Sequence, residues 1–494
     1  MAPRYPSLLQ INTRVWLTEL AQRLGRPATL DDVPDRDLDG LANLGVDWIW
    51  LLSVWQTGAA AQRVSRSNPE WLAEFEHTLP DLREEDIAGS GFAITGYTVH
   101  RLIGGDAALA RLRARLQQRG LRLMLDFVPN HMALDHPWIH SHPEYFVSGT
   151  EEDLRRAPQN YVRLADADGS QRVLAYGRDP YFSGWPDTLQ LDYSNPGTHR
   201  AMAAELTRIA GQCDGVRCDM AMLVLNDVFD GTWRRVLGGA WPRLSPDFWR
   251  ETTRLVPRLD YVAEVYWQLE ARLLEQGFTF AYDKRLLDAL HAPDAAPAVR
   301  DLLVSPTPEP SRLARFIENH DEPRSAATLT ERLTAASSLI ATSPGLRFFF
   351  DGQLDGRQIK SPVQLGRWAD EPVDEQIRAM YRRMLRFARA PLLHEGNWRL
   401  LHVSAAGDHT FNDIIAYRWR SADALAVVAV NLGGSASQAH INLAADLPDS
   451  DAFDFVDALT DARYLRTRES LMASGLYVRL EAGSAHLFEV VPPG

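Results

Sequence analysis

The stretch AALARLRARLQQRGLRLMLDFVPNH, residues 107–131, reads as a helix running straight into a buried strand. Leu109, Leu112 and Leu116 recur at helical spacing over 107–119 and Gly120 ends the run. Residues 121–127 then form an apolar strand, closed off by Pro129, Asn130 and His131. An apolar run that stops at an acid and a histidine is hard to explain as packing, because it delivers a charged group to the end of a sheet. Three later segments do the same: DGVRCDMA at 214–221, VAEVYW at 262–267 and FIENHD at 316–321. One such stop is an accident, whereas four in order suggest a barrel with an acidic mouth.

Working outward, strands alternate with helices, the pattern of parallel βα units. The strand candidates are 11–16, 46–52, 121–127, 215–219, 261–265, 278–282, 314–317 and 346–350, eight in all, the number that closes a (β/α)8 TIM barrel. Helices are expected over 17–24, 35–44 and 199–211. From about His136 to Asp192 the rhythm breaks into Pro, Gly, Asp and aromatic residues, which reads as a large inserted loop or small domain. Past about Leu393, short β-rich runs at 413–419, 424–431, 439–443 and 476–480 have no helices between them, which reads as an all-β sandwich. The expected organisation is a barrel over 1–131 and 193–392, an insertion over 132–192 and a C-terminal sandwich over 393–494.

A chain of 494 residues exceeds what one hydrophobic core usually supports, which agrees with several domains. Hydrophobic residues at 45% and charged residues at 24% are ordinary globular usage and exclude extensive disorder. The formal net charge of −13 disfavours phosphate backbones and anionic lipid, so neither nucleic acid nor a membrane is expected as a partner. MAPRYPSLLQINTRVW has no basic and apolar export pattern, and no run approaches the roughly 18 apolar residues of a membrane span. Cys213 and Cys218 make neither a disulfide framework nor a zinc site, and read as reduced, buried thiols of a cytoplasmic protein. The sequence does not indicate an oligomeric state.

In order and content the four segments resemble the signature segments of the α-amylase family, glycoside hydrolase family 13. The resemblance implies that Asp219 is a nucleophile, Glu264 an acid/base and Asp321 a third acid that binds sugar hydroxyls. It also maps His131 and His320 onto ligands of the cleaved sugar, and Phe92, in SGFAITGY, onto a stacking position usually held by Tyr. Chemistry gives an independent reason for two acids, since glycosidic cleavage needs a carboxylate beneath the anomeric carbon and an acid at the leaving oxygen. The family retains configuration, which implies a carboxyl separation of roughly 5–5.5 Å. Arg217, two residues before Asp219 and so on the same strand face, can hold the nucleophile ionised. Asp126 reads as a supporting hydrogen-bonding residue, and Trp55, Trp138, Trp185 and Trp267 are further candidates for stacking on sugar.

The departures bear on the substrate. Met222 and Leu223 stand where calcium-dependent endo-acting relatives carry a Lys-His pair, so neither calcium nor another cofactor is expected, and Asn130 is the one matching calcium-ligand type. FFFDGQLDGRQIKSPVQLGRW at 348–368 replaces a Gly-Asp-Glu-rich turn, and YGRDPYFSGWPDTLQLD at 176–192 reads as an acidic, Trp-bearing lid suited to a short oligosaccharide or disaccharide. Three functions stay open: a retaining α-glycosidase on malto-oligosaccharides or small α-glucosides, a sucrose- or trehalose-acting transglycosylase or isomerase, and a non-catalytic carbohydrate-binding relative. The last is expected to lose one or more acids, whereas this chain keeps Asp219, Glu264 and Asp321.

Overall fold

A computed structural model of the chain describes residues 3–165, 169–238, 247–305 and 307–493. Eight parallel strands close a barrel: β1 (Ser7–Asn12), β2 (Trp48–Leu52), β3 (Arg122–Phe127), β4 (Gly215–Cys218), β5 (Asp260–Ala263), β6 (Phe280–Tyr282), β7 (Leu313–Arg315) and β8 (Leu346–Phe350). Each pairs with the next in chain order, and β8 closes on β1 with Ser7 opposite Arg347. The strands are apolar almost throughout because helices cover the outside and side chains fill the inside, leaving no solvated face.

The first strand lies earlier than the expected 11–16. Residues from Thr13 onward belong to a helix, Thr13–Leu24, because the Asn12 side chain accepts a hydrogen bond from the Val15 amide and Gly25 closes the helix at a φ of 67°. The buried Val15 faces the interior from a helix, so its apolar character gave the wrong period. A second correction concerns Asp321, expected at a strand end. β7 stops at Arg315, and Asp321 stands in the loop beyond it, where the Asn319 side chain accepts from the amides of Asp321 (2.8 Å) and Glu322 (3.0 Å).

The chain leaves the barrel through a short strand, His131–Ala133, and returns through Thr188–Gln190, which pairs with it antiparallel. Between these lie the short helices Trp138–Ser141 and Glu151–Arg156 and a hairpin of Tyr161–Ala165 with Gln171–Ala175. The returning strand therefore carries the residues just before it, from Tyr176 on, over the barrel mouth.

At the C-terminal end a six-stranded sheet faces a three-stranded one around a core that includes Val427, Leu443 and Phe453. Its strands Asn397–Leu400 and Arg463–Thr467 escaped the sequence reading because they alternate exposed with half-buried residues and carry no apolar run. The sandwich is fastened to the barrel by the buried helix Leu333–Thr342: the Trp419 indole donates to the Thr342 carbonyl at 2.7 Å, and the Tyr417 and Thr342 hydroxyls lie 2.6 Å apart. Among the described residues no helix is long and apolar enough to cross a membrane.

Candidate active site

Because all eight strands run the same way, their C-terminal ends meet at one rim, and a cavity of about 290 Å³ opens there. It is lined by Phe92, His131, Asp219, Glu264 and Asp321, together with Trp71, Ser90, Trp185, Asp187, Thr188, Met220, Tyr266 and Gln364. Asp219 and Glu264 each stand one residue beyond their strand, at the point where the ladder ends and the side chain turns into the cavity.

Arg217 lies beneath them, 1% exposed. One guanidinium nitrogen donates to Asp219 Oδ1 at 2.7 Å and the other reaches Glu264 Oε2 at 2.8 Å. The Arg217 Cζ sits 5.3 Å from the Trp50 ring centroid and 5.2 Å from that of Phe92, so the cation is held between aromatic faces with no room to swing away. Asp126 is 3.9 Å from the same guanidinium and takes its one hydrogen bond from the Ser53 amide at 3.2 Å; burial pushes its carboxyl up to about 6.

Met220 joins the two acids through the backbone. It holds a left-handed φ of 42°, rare for a residue with a side chain, and this turn aims its amide at Glu264 Oε2, 2.6 Å away. Tyr266 donates from its hydroxyl to Glu264 Oε1 at 3.0 Å. Burial, reinforced by the charges of Asp219 and Asp321 and opposed by Arg217, raises the Glu264 carboxyl to about 7. Burial also raises Asp219, against the pull of Arg217. Two acids beside one cation cannot both ionise freely, so the pair shares a proton over the intervening pH range.

Asp321 stands at the mouth, with the His320 Nε2 at 3.0 Å from its Oδ2 and the Lys360 ammonium donating to its carbonyl. Burial would raise its carboxyl, but His320, with Arg217 and Lys360 behind it, holds it below the usual range. His320 is fixed from below by the Gln10 amide nitrogen, 2.8 Å from Nδ1, and from the side by Phe92, stacked at 5.4 Å. Phe92 reaches that position because the chain passes so close to Ser53 that a Cβ on Gly91 would lie 1.9 Å from the Ser53 Oγ. His131 packs against Trp185, ring centroids 5.2 Å apart, and burial lowers its pKa to about 3, which keeps the imidazole neutral.

All seven candidates from the sequence therefore meet around one cavity, five in its lining, His320 packed against Phe92 and Asp321, and Arg217 underneath. Of the tryptophans, Trp185 lines the cavity and Trp267 stands at the surface, packed edge-on to Tyr181 at 5.1 Å. Trp55 is fully buried, its indole donating to the Asp126 carbonyl at 2.7 Å, and Trp138 packs on His136 and Tyr145. Asn130 Oδ1 accepts from the Gln190 side chain at 2.9 Å, and among the described residues no group of three or more His, Cys, Asp or Glu is disposed to hold a metal. Gln10, Tyr266, Asp187 and the Met220 amide escaped the sequence reading. Tyr266 was within reach of it, since it lies two residues after Glu264 on the same face, and Gln10 is the one amide in an otherwise apolar run.

A closed parallel barrel with an insertion after β3, a C-terminal sandwich and two carboxylates gripped by one arginine defines a glycosidase-like (β/α)8-barrel protein. The α-amylase catalytic-domain profile matches residues 29–227. Alpha-amylase MalA of Haloarcula japonica is 25% identical over 333 residues, 66% of this chain and 41% of that protein. Alpha-glucosidase of Apis mellifera is 26% identical over 176 residues, 32% of this chain and 25% of that protein. The matches thus span less than half the length of either curated relative. The maltogenic alpha-amylase AmyB of Thermotoga neapolitana shares the fold, with a TM-score of 0.69 at 17% identity over 99% of both chains. Residues 29–227 thus match the α-amylase catalytic domain in sequence, and the chain as a whole shares the fold of solved α-amylases.

Proposed function

We propose that this protein is a retaining α-glycosidase that cleaves α-glucosidic bonds of malto-oligosaccharides or small α-glucosides through a covalent glycosyl-enzyme. The observation that carries the reading is the single Arg217 guanidinium bonded to both Asp219 and Glu264. Two carboxyls sharing one guanidinium are compatible with the short separation of roughly 5–5.5 Å that a retaining pair needs. Asp219, hydrogen-bonded to the arginine, attacks the anomeric carbon. Glu264, raised to about 7, enters the reaction protonated below that pH and gives its proton to the leaving oxygen. In the second step the Glu264 carboxylate takes a proton from water, which then displaces Asp219. Asp321, ionised at the mouth, His131 and His320 bind sugar hydroxyls, and the apolar face of Phe92 suits a pyranose ring. No cofactor enters these steps.

The cavity volume of about 290 Å³ lies just below the usual range for small-ligand sites, ~300–1,000 Å³, which suits one sugar ring inside it. Transfer to a sugar acceptor is a second reading, for which the exposed Tyr181 and Trp267, packed edge-on, offer aromatic surface, Trp267 being next in the chain to the lining residue Tyr266. Intact-mass trapping with fluorinated α-glycosyl fluorides tests the first reading. One glycosyl unit should be added to wild type and none to Asp219→Asn; a wild type unlabelled by every α-sugar of the series refutes it. A product panel on maltose, sucrose and trehalose separates hydrolysis from transfer, since transfer products outrunning free glucose would favour the second reading.

A further inference from the structure

Asp187 is a buried acid for which the catalytic scheme has no use. It is 3% exposed and lines the active-site cavity, and its Oδ2 has no hydrogen-bond partner. Two other buried acids of this protein are closely matched, Asp283 facing Arg315 at 3.2 Å and Glu318 facing Arg324 at 2.8 Å, and Asp126, whose Oδ1 is also unpartnered, still has Arg217 at 3.9 Å. Asp187 has no ion pair among the described residues; its own backbone amide serves the carboxyl, but nothing reaches Oδ2, since Pro186 carries no amide hydrogen and the Thr188 hydroxyl donates to the Trp185 carbonyl at 3.1 Å. Burial pushes its carboxyl up to about 6, against the opposing hydrogen bond from its own backbone. A buried carboxyl oxygen with no donor costs stability. Its place in the lining, two residues from Trp185, gives one loop both a ring face and an acceptor, the two elements that grip a sugar.

Resting on the reading that this cavity holds a sugar ring, we propose that Asp187 is a specificity-determining residue whose carboxyl group accepts hydrogen bonds from hydroxyls of that ring. A sugar is the ligand class that fits, because it brings several neutral donors into a cavity whose own buried cation, Arg217, is already engaged by Asp219 and Glu264. The residue thereby selects sugars that present a free hydroxyl at that point and discriminates against those deoxygenated or substituted there.

The test compares wild type with Asp187→Ala and Asp187→Asn on 4-nitrophenyl α-glucoside and its 3-, 4- and 6-deoxy analogues. Loss of a hydrogen bond to a carboxylate predicts a fall in kcat/KM of at least about tenfold in the alanine variant. One deoxy analogue should be about tenfold poorer for wild type yet equal to its parent for Asp187→Ala. Asn, which keeps an acceptor oxygen, should recover part of the loss. Thermal midpoints should be unchanged or higher in both variants, whereas a structural role would lower them. Unaltered kcat/KM and unaltered discrimination among the deoxy sugars would overturn the proposal while leaving the glycosidase reading intact. Calorimetric titration with acarbose covers the other case. If wild type turns over no glycoside yet binds acarbose at least tenfold more tightly than Asp187→Ala, the glycosidase reading fails and this inference stands. Equal binding, or none, overturns it.

Discussion

Replacing Glu264 by Gln should abolish turnover and make the protein more stable, with a gain that depends on pH. The carboxyl is buried at 3% exposure beside Asp219, and the folded protein holds its proton up to about pH 7. In the unfolded chain the same group ionises near its ordinary value of 4.5. Between those two pH values the unfolded state binds fewer protons than the folded one, so wild-type stability falls as pH rises through that window. The span from 4.5 to about 7, at about 1.4 kcal/mol per pH unit, comes to about 3 kcal/mol. Glutamine keeps the shape and cannot ionise, so it escapes the loss. Its advantage over wild type should therefore be smallest near pH 4.5, grow with pH and level off above about pH 7. An unfolding entropy of about 2.1 cal/mol/K per residue makes each kcal/mol worth roughly 1 °C in a chain of 494 residues, so the thermal midpoint should rise by about 3 °C at pH 8. Scanning calorimetry of both proteins at half-unit steps from pH 4.5 to 8 measures the difference. An advantage that is absent, or the same at every pH, would falsify the argument that burial and like charge hold this proton.

The pH dependence of kcat/KM should be bell-shaped, its alkaline limb centred near 7 where Glu264 loses its proton and its acid limb set by protonation of Asp219; a profile flat from pH 5 to 9 would remove both from proton transfer and attack. Gly91→Ala would place a Cβ 1.9 Å from the Ser53 Oγ, and should shift Phe92 from the sugar site, raise KM and cost about 1–3 kcal/mol in denaturant unfolding. Gln10→Leu removes the partner 2.8 Å from His320 Nδ1 and should lower kcat/KM about tenfold with little change in the thermal midpoint; an unchanged kcat/KM would show that His320 needs no support from β1.

The barrel was legible because its strands are apolar and each is followed by a covering helix, so that periodicity and the acid after each run could be read locally. Residues 346–350 were read as the strand that forms, and 35–44 as the helix. Misreadings arose where a local signal had two meanings. Val15 is as apolar as a strand residue, but the Asn12 cap turns it into a helix. The strand Arg463–Thr467 is charged and half-exposed, and it exists through its pairing with Ala452–Asp457.

The sequence by itself determined the four acid-bearing segments, their order and hence the barrel and the resemblance to the α-amylase family, since these depend on residue type and spacing along the chain. Only the tertiary structure decided how the acids stand to one another. Arg217 reaching Glu264 as well as its near neighbour Asp219, the Met220 amide turned toward Glu264, Gln10 beneath His320 and the unpartnered Oδ2 of Asp187 inside the cavity are relations that no local stretch of sequence contains. The physical reason is that a carboxyl's proton affinity and hydrogen bonding are set by burial and by the charges facing it, and barrel closure and the returning strand of the insertion fix both.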